Sequence, residues 1–235
     1  MNNKIDICLD TGNLELIKEG LEIFPINSVS MNPSIAVDYL KTVDRGFIEN
    51  ALMIREVIGD EMPFFLEAMG DTAEEMIEDA KKVVEIIPGN TTVKIPASVE
   101  GFKAIKELRK INISTSCTAV YTLNQGLLAA EAGASYIAVY VSRLDKLGAS
   151  GTEVISKIKT TFDRLGYTCK VSAASLKTPD HVEESIMAGA NNLALTFDLL
   201  KQMSVHPLTQ QTLDTFKSDW EGLFGKGTRI SNMEN

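Results

Sequence analysis

The sequence predicts an α/β fold, an eight-stranded β/α barrel carrying an additional C-terminal helix. Short β-rich runs alternate with longer amphipathic runs from one end of the chain to the other. Most of the β-rich runs are near-continuously apolar, as parallel strands must be when both faces are buried. Eight such runs, with no glycine-rich phosphate loop after the first, favour a closed barrel over an open dinucleotide-binding sheet.

In chain order the predicted strands are residues 5–10, 27–31, 63–68, 91–95, 113–118, 135–141, 168–174 and 192–196. Between them lie helical patterns, of which residues 72–87 are representative. Ala73, Met76, Ile77, Ala80, Val83, Val84 and Ile87 share one face there, while Glu74, Glu75, Asp79, Lys81 and Lys82 take the other. Asp71 or Thr72 can cap this helix, and Pro88-Gly89 ends it. Gly133 and Gly189 stand where two other helices should stop. A further helix starts near Asp198, which leaves residues 1–207 for the barrel and 208–235 for a helical tail. Leu208, Leu213, Phe216, Trp220, Leu223 and Phe224 are too many large apolar groups for a solvated tail. They call for cover from the barrel bottom or from a neighbouring subunit.

Composition narrows the function classes. The chain has 235 residues, 44% hydrophobic and 23% charged, ordinary for a globular protein. A net charge of −9 argues against nucleic acid as a partner, because phosphate backbones require a basic face. Cys8, Cys117 and Cys169 lie far apart in apolar stretches and form no metal-binding pair, so neither a disulfide nor zinc is expected. The opening Met-Asn-Asn-Lys-Ile-Asp has no long apolar run, and no later run could span a bilayer. The expectation is a cytoplasmic protein with no membrane association and no zinc.

In a barrel of this kind the reacting groups come from the C-terminal ends of the strands. Lys94, in Thr-Val-Lys-Ile-Pro, stands out. Period-2 alternation puts it on the opposite face from Val93 and Ile95, so it points inward if they pack under the helices. Burial there lowers the pKa of an amine. At a pKa of about 10.4, only roughly 1 lysine in 2,500 is neutral at pH 7, and the neutral amine is what attacks a carbonyl. The alternative is an ammonium snorkelling to the mouth to grip an anion. Glu67, also inside an apolar run, either pairs with Lys94 or handles protons through a water. Asp10 and Asn32 are candidates too, although each could merely start the following turn or helix. Thr118 and Tyr140 carry hydroxyls able to hold a water or a substrate oxygen, or to satisfy a backbone group. Arg143, Ser175 and Lys177 follow the sixth and seventh strands, where barrels bind phosphate. For Arg143 a surface pair with Asp145 is the competing reading. His181 and His206 read as structural or exposed.

Taken in order, Asp10 in Leu-Asp-Thr, Asn32 in Asn-Pro-Ser, Lys94 in Val-Lys-Ile-Pro and Thr118 in Thr-Ala-Val-Tyr form a set. Arg143 in Ser-Arg-Leu-Asp and Ser175 in Ala-Ala-Ser continue it, and Asp-Trp-Glu-Gly-Leu-Phe-Gly closes it near the C-terminus. The set resembles the small transaldolase family, especially its fructose-6-phosphate aldolase branch. That resemblance implies a class I aldolase in which Lys94 forms a Schiff base with a ketose or ketone donor. Asp10 would assist proton transfer, and Asn32, with Ser30, would bind donor hydroxyls. Thr118 and Glu67 would hold a proton-shuttling water with Tyr140 beside it. Arg143 and Ser175 would bind the phosphate of the aldehyde. It further implies a ring-like homo-oligomer, a pentamer or decamer, and chemistry that needs no metal and no cofactor. Four positions depart from the pattern of one branch or the other. Glu67 is transaldolase-like where the aldolase branch has Gln. Tyr140 is aldolase-like where transaldolases have Phe. The usual Thr-Thr-Asn-Pro is Ser30-Met31-Asn32-Pro33, which is expected to alter the donor side through Met31. Transaldolase transfer and a non-catalytic sugar-phosphate-binding barrel are the other readings.

Overall fold

A computed structural model describes residues 5–233. The first four residues, part of the stretch read for a leader, and the last two lie outside it. Eight parallel strands form a closed barrel in sequence order. They are β1 Asp6–Asp10, β2 Ser28–Met31, β3 Phe64–Glu67, β4 Thr91–Pro96, β5 Thr115–Val120, β6 Tyr136–Tyr140, β7 Lys170–Ala174 and β8 Asn192–Leu195. Closure is made by β8 on β1, from Asp6 opposite Asn192 to Leu9 opposite Leu195. The helices are α1 Leu14–Ile23, α2 Pro33–Leu40, α3 Phe47–Ile58, α4 Ala73–Ile86, α5 Val99–Lys110 and α6 Leu123–Ala132. They continue as α7 Val141–Asp145, α8 Gly151–Leu165, α9 Pro179–Met187, α10 Phe197–Met203 and α11 Pro207–Phe224. No helix among the described residues is long and apolar enough to cross a membrane.

All eight predicted strands form, because an uninterrupted apolar run has few other ways to bury both faces. Their outward residues, among them Leu9, Val29, Leu66, Val93, Ile95 and Leu195, are fully buried under the helices. Each such side chain contributes about 1.5–3 kcal/mol by leaving water. Helix α4 begins with a reciprocal cap, in which Thr72 Oγ1 accepts from the Glu75 N–H and the Glu75 carboxylate accepts from the Thr72 N–H. Gly133 ends α6 in the left-handed conformation, φ 102°, which a side chain would strain.

Two devices hold the strands that carry Glu67 and Lys94. Buried Arg55 donates to the carbonyls of Gly59 and Met62 at 2.7 Å and to the Asn90 carbonyl and Thr91 Oγ1 at 3.0 and 3.1 Å. One guanidinium thus ties together the segments entering β3 and β4. At the other end of β4, Gly101 lets α5 pack against the strand's exit, since a Cβ there would sit 1.9 Å from the Pro96 carbonyl oxygen.

The C-terminal helix differs from the rest. None of its residues is buried, and Leu208, Leu213, Phe216 and Leu223 are all exposed. Trp220 is the better covered of its large groups, donating from its indole N–H to the Thr228 carbonyl at 2.9 Å and packing on Phe224.

Candidate active site

A cavity of about 460 Å³ opens at the C-terminal ends of the strands. All ten residues singled out in the sequence line it: Asp10, Ser30, Asn32, Glu67, Lys94, Thr118, Tyr140, Arg143, Ser175 and Lys177. They converge because each sits at, or just beyond, the end of an inward-facing strand position, and closure of the barrel does the rest.

Lys94 is 7% exposed, with Val93 and Ile95 on the opposite face at 0%. Its Nζ lies 3.7 Å from Glu67 Oε2, an ion pair inside the barrel. Burial acts to lower the pKa of Lys94, as expected, but Asp10, then Tyr140 and Glu67, outweigh it and carry it above the ordinary lysine value. The expected net lowering is therefore not found, since three acidic groups crowd one amine. Burial in turn raises Asp10 and Glu67, with Lys94 opposing in both cases. Raised carboxylates are better bases. A proton leaving Lys94 thus has two acceptors close by, and the transfer yields the neutral amine that attacks carbonyls.

Asp10 is not the cap of the following helix. Asn13 fills that place, its side-chain oxygen accepting from the N–H groups of Glu15 and Leu16. Asp10 Oδ1 and Glu67 Oε2 are instead buried without hydrogen-bond partners, two acceptors held at the cavity. Asn32 does both jobs open to it. Its Oδ1 caps α2 by accepting from the Ile35 N–H at 3.0 Å, and its amide nitrogen remains as a donor. Across the mouth, Thr118 Oγ1 and Tyr140 Oη are 3.0 Å apart. The Arg143 guanidinium lies over the Tyr140 ring, 5.0 Å from its centroid. Asp145 accepts from the Gly151 N–H at 2.9 Å and faces His181 Nε2 at 3.6 Å, so it is tied to α8 and α9 and not to Arg143. His181 also accepts from the Lys177 N–H, which fits its structural reading, and His206 caps α11.

Residues 7–234 match the model of a family described as transaldolase/fructose-6-phosphate aldolase. This chain belongs to that family. It is 36% identical over 213 residues to a protein named probable transaldolase from Desulfotalea psychrophila (strain LSv54 / DSM 12343), covering 91% of this chain and 96% of that protein. Membership makes the barrel that of an enzyme family, with both a lyase and a transferase in its name.

Within this transaldolase/aldolase scaffold one expectation is corrected. Met31 does not line the cavity. It points outward, 1% exposed, with its sulfur 2.8 Å from where a Cβ on Gly12 would stand. Ser30 is the inward residue of that pair. Residues that strand-end reasoning missed also line the cavity: Cys8, Phe65, Ser116, Ala138, Ser172 and Ala194. Cys8, Phe65, Ser116 and Ala138 each lie two positions before a mouth residue named from the sequence, so the same period-2 rule carried one step further down the strand finds them. Ser172 instead lies three before Ser175, and Ala194 follows from no named residue. Ala119 and Ser175 adopt left-handed backbone, φ 56° and 59°, at a cost of about 1–3 kcal/mol each. No sequence signal marks them, since neither residue type favours that conformation. The strained Ser175 is bridged to Ser142 by their hydroxyls at 2.9 Å.

Proposed function

We propose that the protein is a class I aldolase that reversibly cleaves a ketose phosphate such as fructose 6-phosphate to dihydroxyacetone and glyceraldehyde 3-phosphate. The neutral Lys94 amine adds to the C2 carbonyl, and loss of water leaves an iminium. Asp10 takes the proton of the C4 hydroxyl as the C3–C4 bond breaks, which releases the aldehyde and leaves an enamine. The enamine carbon is then protonated, and water returns to free dihydroxyacetone and the amine. Arg143, Ser175 and Lys177 bind the phosphate at the mouth, while Asn32 and Ser30 bind donor hydroxyls. The iminium serves as the electron sink.

The observation that carries this reading over transfer is the hydroxyl pair of Thr118 and Tyr140, 3.0 Å apart on the cavity wall. A phenol there supplies the proton that quenches the enamine. Without that proton the enamine waits for a second aldehyde, and the net reaction is transaldolase transfer. Glu67, 3.7 Å from Lys94 Nζ, favours this second reading, as does the printed name of the Desulfotalea relative. Products from fructose 6-phosphate, with and without erythrose 4-phosphate, decide between them. Free dihydroxyacetone without acceptor supports the aldolase, and turnover only with acceptor overturns it. The exposed apolar groups of α11 support a homo-oligomeric assembly; a chain truncated after Pro207 should then scatter light as a smaller particle.

A further inference from the structure

The cavity does not stop at Lys94. On seven of the eight strands it is lined by a residue at or just beyond the strand end and also by the inward residue two positions earlier, as with Asp10 and Cys8 or Thr118 and Ser116, whereas β4 contributes Lys94 alone. Two residues along a strand span about 6.6 Å, so the cavity runs a full side-chain layer below the lysine. Barrels of this kind normally fill that layer with bulky branched side chains. Here the odd strands supply it with Cys8, Ser116 and Ser172, with Phe65 as its bulky member, while Ala138 and Ala194 on even strands leave the layer of Lys94 itself open.

Smallness alone would make only a void. The second observation is polar. Ser116, Ser172 and Asn192 are 3%, 5% and 4% exposed and line this lower half, yet none of their side chains hydrogen-bonds within the described residues. Their polar atoms are not sealed off and keep accessible surface, which leaves them as donors and acceptors open to a ligand in the cavity. The lower half offers that ligand no net charge. Its floor is Phe65 packed edge-on to Tyr136 at 5.0 Å, and the charged groups beneath, Lys170 and Asp6, neutralise each other at 3.0 Å. Arg143 and Lys177 are both at the mouth, which is therefore the place for phosphate.

We propose that this lower half is a donor subsite for a neutral, hydroxylated chain longer than a hydroxymethyl group. The enzyme then accepts ketoses whose carbonyl is flanked, on the side away from the phosphate, by two or more carbons, with Ser116, Ser172 and Asn192 meeting the hydroxyls. The inference rests on the Schiff-base reading of Lys94, and the experiment separates the two. The intact protein is treated with borohydride in the presence of dihydroxyacetone or of 1,2,4,5-tetrahydroxypentan-3-one. The arms of the second ketone are identical, so either orientation puts a two-carbon hydroxylated arm beneath Lys94. Both ketones are expected to add their reduced mass to Lys94 at rates within about tenfold of each other. Ser116→Leu and Ser172→Leu, which place an ordinary barrel side chain in the hollow, should each lower trapping of the five-carbon ketone relative to dihydroxyacetone by about tenfold or more. Pentan-3-one, with the same arms and no hydroxyls, should trap more slowly than the tetrahydroxy ketone. Adducts with dihydroxyacetone alone, or variants that slow both ketones equally, would overturn the subsite and leave the Schiff base standing. No adduct with any ketone would overturn both.

Discussion

The two faces of the same eight strands are built on opposite principles. Outward, Leu9, Leu66, Val93, Ile95 and their neighbours are apolar and sealed. Inward, Asp10, Glu67, Lys94, Thr118 and Tyr140 are titratable or hydroxylated and line a cavity. One residue of displacement along a strand separates them. Stability and chemistry are thus interleaved in the sequence yet segregated in space, and substitutions on adjacent residues should have different consequences.

The largest effect should fall on the inner face. Lys94→Met keeps the stem and removes the amine, and Lys94→Arg keeps a charge that forms no imine at neutral pH. Turnover should fall more than about a thousandfold, roughly 4 kcal/mol of transition-state stabilisation, while circular dichroism shows an intact fold. Residual activity above that level would refute covalent catalysis. The methionine variant also has a pH signature. Without the amine, the main influence lowering Asp10 and Glu67 is gone, and burial, the largest influence on each, holds both further above their ordinary values of 3.8 and 4.5. The folded state then holds protons more tightly than the unfolded chain. Stability of the variant should therefore decline as pH rises from the ordinary carboxylate range through the folded values, measured by urea denaturation.

Next in size is the outer face. Leu66→Ala, one residue from Glu67, removes a fully buried side chain and should cost about 2–5 kcal/mol in denaturation. The kcat of the fraction still folded should change far less than in the Lys94 variants. A thousandfold fall in kcat at unchanged stability would mean the two faces are not separable.

Arg143→Ala should come third. Lost charge-assisted hydrogen bonds of about 1.5–3 kcal/mol should raise KM for phosphorylated aldehydes roughly 10- to 150-fold, with little change for unphosphorylated ones. Equal effects on both acceptors would make the stacking on Tyr140 its whole role.

How much of this was readable beforehand follows from the same contrast. The strands were legible because continuous apolar runs are a local signal, and β1 and β8 match expectation to within a residue. β5 is displaced toward Thr115–Val120, since Ile113 and Ser114 are used in the approach to the barrel. The mouth residues were legible because a charge within an apolar strand needs a reason. What depends on neighbours distant in sequence was not legible. The net direction at Lys94 needs Asp10 and Tyr140 brought together from β1 and β6. Arg55 shows its role only when the carbonyls of Met62 and Asn90 meet around it. Met31 shares a motif with Ser30 and Asn32, but strand parity with inward Ser30 turns it outward, so the motif does not act as a unit.

The smallest predicted effect bears on the reaction type, where the inner face itself is divided. Tyr140 reaches Thr118 by hydrogen bond, and Glu67 pairs with Lys94. Phenol and carboxylate therefore engage different partners in one cavity. Tyr140→Phe removes a single hydroxyl at nearly constant volume, so the edge-on packing of its ring with Tyr121, 6.0 Å between centroids, should survive. Cleavage to free dihydroxyacetone should fall while transfer to an added aldehyde is spared or raised. General acid catalysis contributes about 10²–10⁴-fold, so the ratio of the two activities should shift by at least about tenfold. Glu67→Gln should shift it the other way, because the amide cannot take the proton from Lys94 but can still hold a water beside Thr118. If Tyr140→Phe lowered both activities equally, the phenol would serve a step common to lyase and transferase. The preference for aldolase over transaldolase would then have no support from this pair of residues.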